Sequence, residues 1–245
     1  PEKPPAFGQS RYGSGSRCFG SHRGCTRFRL MDQATSKVID PHALADWRRR
    51  VSEMYAGIRS VPNHAVQAWG GWRNVRDDLM KTHAMSPLNA DRQASFKALS
   101  YFDYDQDYRF LVETKTPENR TPEAIELMDD GSLIIEPVLE TVGLAKKLGG
   151  ELTIYWINGY GGGLFLPFGD ATNGETTYGG GRYLLDSIKG ADLGSLDDRR
   201  LVLDFNFAYN PSCAYSPKWS CPLAPAINIL PGAVLAGEQQ PTAND

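Results

Sequence analysis

The chain has 245 residues, 41% hydrophobic and 22% charged, with a formal net charge of −3, figures ordinary for a globular protein. No apolar run approaches the ~20 residues of a membrane-spanning helix, and the length suits one large domain or two small ones. The charge is uneven: residues 1–30 carry six Lys or Arg against one acid, which leaves 20 basic and 28 acidic residues from Met31 onward, a net of −8 that argues against a nucleic-acid partner.

The first thirty residues are rich in Gly, Ser, Arg and Pro and show neither helical nor alternating periodicity. They are expected to be an extension outside the fold: an upstream start assigned too early, residues foreign to the natural protein, a disordered basic tail, or a transit peptide. The last fits least, since no amphipathic helix can be drawn there. Met31 opens the first sensible segment. No apolar stretch follows the basic residues, as a secretory signal would require, so a cytoplasmic location with reduced thiols is expected. The four cysteines fall in pairs, Cys18 with Cys25 and Cys213 with Cys221, and neither spacing is that of a redox C-x-x-C or a zinc ribbon.

Asp40 before Pro41 is a helix start, and Leu44, Trp47, Val51, Tyr55 and Ile58 then recur at helical steps. A second helix is predicted over residues 65–82, with Trp69, Trp72, Val75 and Leu79 on one side; Ser86 and Pro87 close it. The tryptophan stripe reads as core packing rather than a cofactor platform. "NADRQASFKAL" offers a short third helix. From Tyr101 the pattern becomes strand-like. "YFDYDQDYRFLVET" alternates, Asp130-Gly131 stands between apolar runs as a hairpin signal, and "GELTIYWI", "GGLFLPF", "TTYGGGRYLLD", "RRLVLDFNFAY" and "AINILPGAVLA" supply further short strands. The expectation is a mainly β, α+β chain: residues 31–100 form a layer of two to three helices packed on an antiparallel barrel or sandwich of about eight strands in residues 101–240.

"GYGGGLF" is not a dinucleotide fingerprint, because Leu164 stands where the last Gly is needed and strand residues follow instead of a helix. "YGGGRYL" lacks the Lys-Ser/Thr of a phosphate loop. Glycines in strands mark bulges or a close backbone approach, by another chain segment or by a ligand. Strand alternation from Tyr178 to Leu184 would point Tyr178 and Arg182 into one interior, with Gly180 leaving room between them. Arg182 then either holds a carboxylate or phosphate or is paired with Asp170 or Asp204. The run from Ser212 to Pro225 is a long irregular loop in which Cys213 and Cys221 can meet as a disulfide, a soft metal pair or two inert buried thiols. A metal would need two more ligands, and nothing in the spacing links His83 or Glu238 to the pair. His83 follows a helix and is suited to its C-terminus. A general base is sought among Asp170, Asp186, Asp204 and Glu238, and an acid in Tyr178 or Tyr209.

"LFLPFGDATNGETTYGGGRYL" followed by "LDFNFAYNPSCAY…CPLAP…N…AGE", with "HAMSPL" and "LSYFDYD" upstream, resembles the bacterial and archaeal family known as domain of unknown function 1684. The resemblance runs from about Trp47 to Glu238 and leaves residues 1–30 outside. Family members typically carry a charged residue before the Asn at position 228, where this chain has Ile227. The resemblance implies boundaries and no activity.

Three functional readings stand. A small polar or anionic molecule is bound in a β-barrel pocket walled by Tyr178, Arg182, Tyr183, Asn206, Tyr209, Asn210 and Asp170, with or without catalysis. Alternatively, a thiol or metal function resides at Cys213 and Cys221, or the chain is a non-enzymatic interaction module. No metal ligand set, cofactor, oligomeric state or reaction is assigned, and neither nucleic acid nor membrane is expected as a partner.

Overall fold

Asp40 caps the first helix of the computed structural model, which describes residues 40–127, 131–197 and 200–242. The expected N-terminal extension, the Met31 start, Cys18, Cys25 and the turn residue Asp130 lie outside the described residues. Asp40 Oδ1 accepts the N–H groups of His42 and Ala43 at 2.9 and 3.3 Å, and α1 runs Pro41–Ser60. The helices α2 (Ala65–Thr82) and α3 (Ala90–Ser95) follow, the latter capped by Asn89.

The tryptophans are core, as their spacing predicts. Trp72 is 1% exposed and meets the edges of Tyr101 and Phe207, with ring centroids 5.6 and 5.3 Å away. Its Nε1 donates to the Tyr55 hydroxyl, and Trp69 Nε1 donates to the Asn206 carbonyl. Tyr55, Trp69 and Trp72 thus bury their rings against Ala191, Leu193 and Phe207, and this seam fastens the helices to the sheet residues.

The sheet comprises β1 (Arg109–Lys115), β2 (Glu123–Glu126), β3 (Ser132–Val142), β4 (Thr153–Ile157), β5 (Gly163–Phe168), β6 (Arg182–Asp186) and β7 (Arg200–Asp204). Its order is β6-β5-β4-β3-β1-β7, every pairing is antiparallel, and β2 pairs with β3 beside this path. The sheet curls into a half-barrel. Just past β7, Tyr209 and Tyr183 exchange main-chain bonds of 2.8 and 3.0 Å, so one isolated bridge joins the two outer strands. The interior is filled by side chains such as Ile154, Leu166, Phe168, Leu184 and Phe205.

Among the described residues seven strands stand where about eight were expected, and the connections are not free of helix. A four-residue helix α4, Ala145–Leu148, lies between β3 and β4. The missing strand is "AINILPGAVLA". Pro225 and Pro231 bring no N–H to a ladder, and the segment makes only one bridge, Gly169 with Ile229. The carbonyls of Val234 and Ala236 at its end, and of Glu238 just beyond it, instead accept from the Arg182 guanidinium. An arginine side chain replaces a neighbouring strand. Sequence alternation cannot register such a substitution.

Candidate functional site

The turn before β6 decides where the predicted pocket residues go. Gly181 has φ of 86°, and its N–H closes a tight turn onto the Tyr178 carbonyl at 3.0 Å. The strand therefore begins only at Arg182, and the expected alternation from Tyr178 to Leu184 does not exist. Tyr178 turns outward while Arg182 turns inward. A Cβ on Gly181 would lie 2.6 Å from the Phe168 carbonyl and 2.8 Å from Ala224 Cβ. The close approach that the glycines permit is that of the loop bearing the cysteines.

Arg182 is fully buried. Its Nη2 donates to Asp170 Oδ2 at 2.9 Å and to Val234 O at 3.1 Å, and its Nη1 to the carbonyls of Ala236 and Glu238. Burial pulls the guanidinium below its usual pKa, with Asp170 opposing that shift. Asp170 Oδ1 meanwhile accepts from Thr172 N and Oγ1 and from Val234 N. Arg182 and Asp170 are consequently not the walls of a ligand pocket; both are used up in holding the C-terminal segment.

Four more expected pocket residues have the same fate. Tyr183 donates its hydroxyl to Pro222 O at 2.6 Å, and its ring meets Phe165 and Tyr209. Asn206 bridges Asp105 and Asp204, and Asn210 ties to Glu238 Oε2 and to Gln239 O. Tyr209 lies under the Arg76 guanidinium, 5.0 Å from its ring centroid. Of the seven residues, only Tyr178 lines either of the two described cavities. They link chain segments.

The candidate bases also fail to converge. Asp186 caps its own 3-10 turn through Lys189 N, and Glu238 is in a buried ion pair of 2.6 Å with Arg76 of α2. His83 is the C-cap residue of α2, as its position predicts, with Nδ1 accepting from Met85 N. Among the described residues no group of three or more His, Cys, Asp or Glu could hold a metal.

Asp204 is different, because it lines a cavity while being 1% exposed. Burial raises its pKa to about 6, against the bonds from Asn206, the Arg109 guanidinium and the Tyr104 hydroxyl. A folded-state value above that of the unfolded chain means the folded protein holds the proton more tightly. The group's stabilisation is thus complete below about pH 4 and is lost as the pH rises through about 6, by about 3 kcal/mol at most. Asp204→Asn keeps an acceptor for Asn206 N and is expected to remove this fall. Urea denaturation of both proteins at pH 4, 5, 6 and 7 measures it as the difference between the two curves.

The remaining cluster is at the loop. Cys213 and Cys221 are both free thiols and both partly exposed. The Cys213 N–H donates to Cys221 Sγ at 3.4 Å, and the Tyr178 hydroxyl lies 3.7 Å from Cys213 Sγ. A hydrogen bond from the Cys221 thiol lowers the Cys213 pKa to about 6; the Tyr178 hydroxyl and the Cys213 and Ala214 N–H groups add to the effect against the opposing cost of burial. The Cys221 thiol, held as donor to that sulfur, is pushed up, and burial raises Tyr178 to about 12, so its hydroxyl keeps its proton. The three side chains line a groove of about 650 Å³ with Ile125, Trp219 and Leu223. The loop is pinned at Pro222 by Tyr183 and at Ala224 by its N–H bond to Gly180 O. The prolines and Trp219 signalled an ordered loop in the sequence. Only the fold brings Tyr178 to its thiol.

These features define an α+β protein with a curled antiparallel sheet and a paired-thiol loop beside it. The chain belongs to the family described as "Protein of unknown function (DUF1684)", whose profile matches residues 94–239. The match includes the two long motifs and begins C-terminal to "HAMSPL", short of the Trp47 limit drawn from resemblance. A solution NMR structure of an uncharacterized protein from Haloarcula marismortui is 33% identical; the alignment covers 68% of this chain and 89% of that one, with a TM-score of 0.47. No curated protein matches the chain. Among the described residues no helix is long and apolar enough to cross a membrane.

Proposed function

We propose that the protein carries a thiol function in which Cys213 is the nucleophile and Cys221 the resolving thiol of a dithiol/disulfide couple. The observation that carries this reading is the placement of two free thiols on the wall of an open groove, with the Cys213 N–H donating to Cys221 Sγ at 3.4 Å and the Tyr178 hydroxyl 3.7 Å from Cys213 Sγ. A thiolate is the attacking form, and a neighbouring thiol permits resolution. The Cys213 thiolate attacks one sulfur of a small disulfide R–S–S–R, forming a mixed disulfide and expelling RS⁻. Cys221 then loses its proton to solvent and attacks Cys213 Sγ. A second RS⁻ leaves, and the two electrons taken from the cysteines have reduced R–S–S–R to two thiols.

The full chain treated with oxidised glutathione is expected to yield a Cys213–Cys221 linked peptide in a non-reducing digest. Cys221→Ser is expected to stop at a glutathione adduct on Cys213, and Cys213→Ser to leave Cys221 unmodified. Wild-type protein in which both thiols stay free, or an adduct that forms first on Cys221, overturns the assignment.

A further inference from the structure

The second cavity shares no lining residue with the thiol groove, so its role stands apart from the thiol reading. It encloses about 360 Å³ between the end of α1, the start of α2, β1 and β7. That lies at the lower end of the range for small-molecule sites and equals roughly a dozen water-sized groups. Leu111, Leu196 and Val61 reach it and are 44%, 59% and 38% exposed, leaving an apolar entrance open to solvent. Val202 and Phe207 line it deeper in the fold.

The charged lining is two guanidiniums, Arg59 and Arg109, against one carboxylate, Asp204. Arg59 Nη1 is committed to the Asp192 carbonyl. The β1–β7 register sets Arg109 opposite Asp204, yet Nε stands 3.6 Å from Oδ2, beyond hydrogen-bonding distance. Neither Nη group of Arg109 makes a hydrogen bond among the described residues, and the side chain is 24% exposed. Asp204, in contrast, has both oxygens engaged: Oδ1 by Asn206 N and Nδ2, Oδ2 by the Tyr104 hydroxyl and Arg109. The cation therefore has open donors, while both oxygens of the anion already accept hydrogen bonds. A planar two-nitrogen fork of this kind suits a carboxylate. The first turn of α2, which no side chain caps, lines the same cavity through Ala65 and adds positive potential.

We infer that this cavity binds a small amphipathic carboxylate of about ten to twelve non-hydrogen atoms, its head on the free Nη groups of Arg109 and its apolar body between Leu111, Val202 and Phe207. Anion recognition thus falls to Arg109 on β1 and not to Arg182, whose Nη groups are turned inward to Asp170 and the C-terminal carbonyls and whose side chain is fully buried.

Calorimetry on the full chain with octanoate, octanol and octylammonium tests this. The three probes share one apolar chain and differ in head charge. Octanoate is expected to bind at least about tenfold more tightly than octanol, as a charge-assisted bond requires, and octylammonium most weakly. Arg109→Met is expected to remove the octanoate preference and leave octanol affinity unchanged. Amide shifts in wild-type protein are expected at Leu193, Ser195 and Val202 and not at Cys213 or Trp219. Octanoate and octanol binding within twofold of each other, octylammonium binding best, no saturable octanoate binding, or shifts confined to the thiol groove would each overturn the inference. The wild-type comparison decides the matter even if Arg109→Met fails to fold.

Discussion

Replacing Arg182 with leucine is expected to lower the unfolding free energy by about 3–5 kcal/mol, the usual cost of leaving one member of a buried ion pair alone. Arg182 and Asp170 are both fully buried as side chains, so solvent does not screen the pair. The loss has two parts. One is the unpaired Asp170 carboxylate; the other is the three carbonyls of Val234, Ala236 and Glu238, which lose their donor. The double variant Arg182→Leu with Asp170→Asn separates them. It removes both charges while leaving position 170 an acceptor for Thr172 and Val234. Were the ion pair the whole effect, the double variant would return close to wild-type stability, since buried pairs are often replaceable by uncharged groups. Each orphaned carbonyl costs about 1–3 kcal/mol, so less than half of the loss is expected to be recovered. Urea denaturation of the three proteins gives the answer. A cost below about 1 kcal/mol for Arg182→Leu would mean that the guanidinium is not what holds the C-terminal segment.

Alkylation of Cys213 by iodoacetamide is expected to follow a titration with a midpoint near pH 6. The midpoint, not the rate at one pH, is the informative quantity. At pH 7 a thiol of this pKa is about 90% ionised, against a few per cent for an ordinary cysteine, a gain of about thirtyfold in thiolate. A less basic thiolate is also a poorer nucleophile, by about tenfold over such a shift, so the net rate changes by only a few-fold. Cys221→Ala is expected to raise the midpoint most, because the Cys221 thiol is the largest influence on Cys213, and Tyr178→Phe to raise it by less. Peptide mapping separates Cys213 from Cys18, Cys25 and Cys221. A wild-type midpoint above pH 8 would show that neither neighbour stabilises the thiolate.

Both results turn on features that differ in how far the sequence disclosed them. The start of α1 was legible, because a cap works within three residues and Asp40 stands before Pro41, whereas the short helix offered by "NADRQASFKAL" ends already at Ser95. The tryptophan stripe was legible because helical spacing alone puts Trp69 and Trp72 on one face. The strand β1 followed from alternation, and β4 and β5 from short apolar runs. The seven-residue pocket wall did not follow. Alternation was extended through Tyr178–Gly181, where the chain in fact turns, and this wrongly set Tyr178 and Arg182 on one face.

What the sequence by itself determined is the set of local choices: where the first two helices lie, which residues form the aromatic seam, and that residues 212–225 form a loop rich in proline and cysteine. What only the tertiary structure decided is which of its charged groups are occupied. Arg182 meets carbonyls 52 to 56 residues away, Arg109 meets Asp204 across a strand pair, and Tyr178 meets a thiol 35 residues on. Hydrogen bonds and ion pairs act over a few ångströms in space, whereas pattern reading acts over a few positions in the chain. A buried arginine and an available one therefore look alike until the fold brings their partners in.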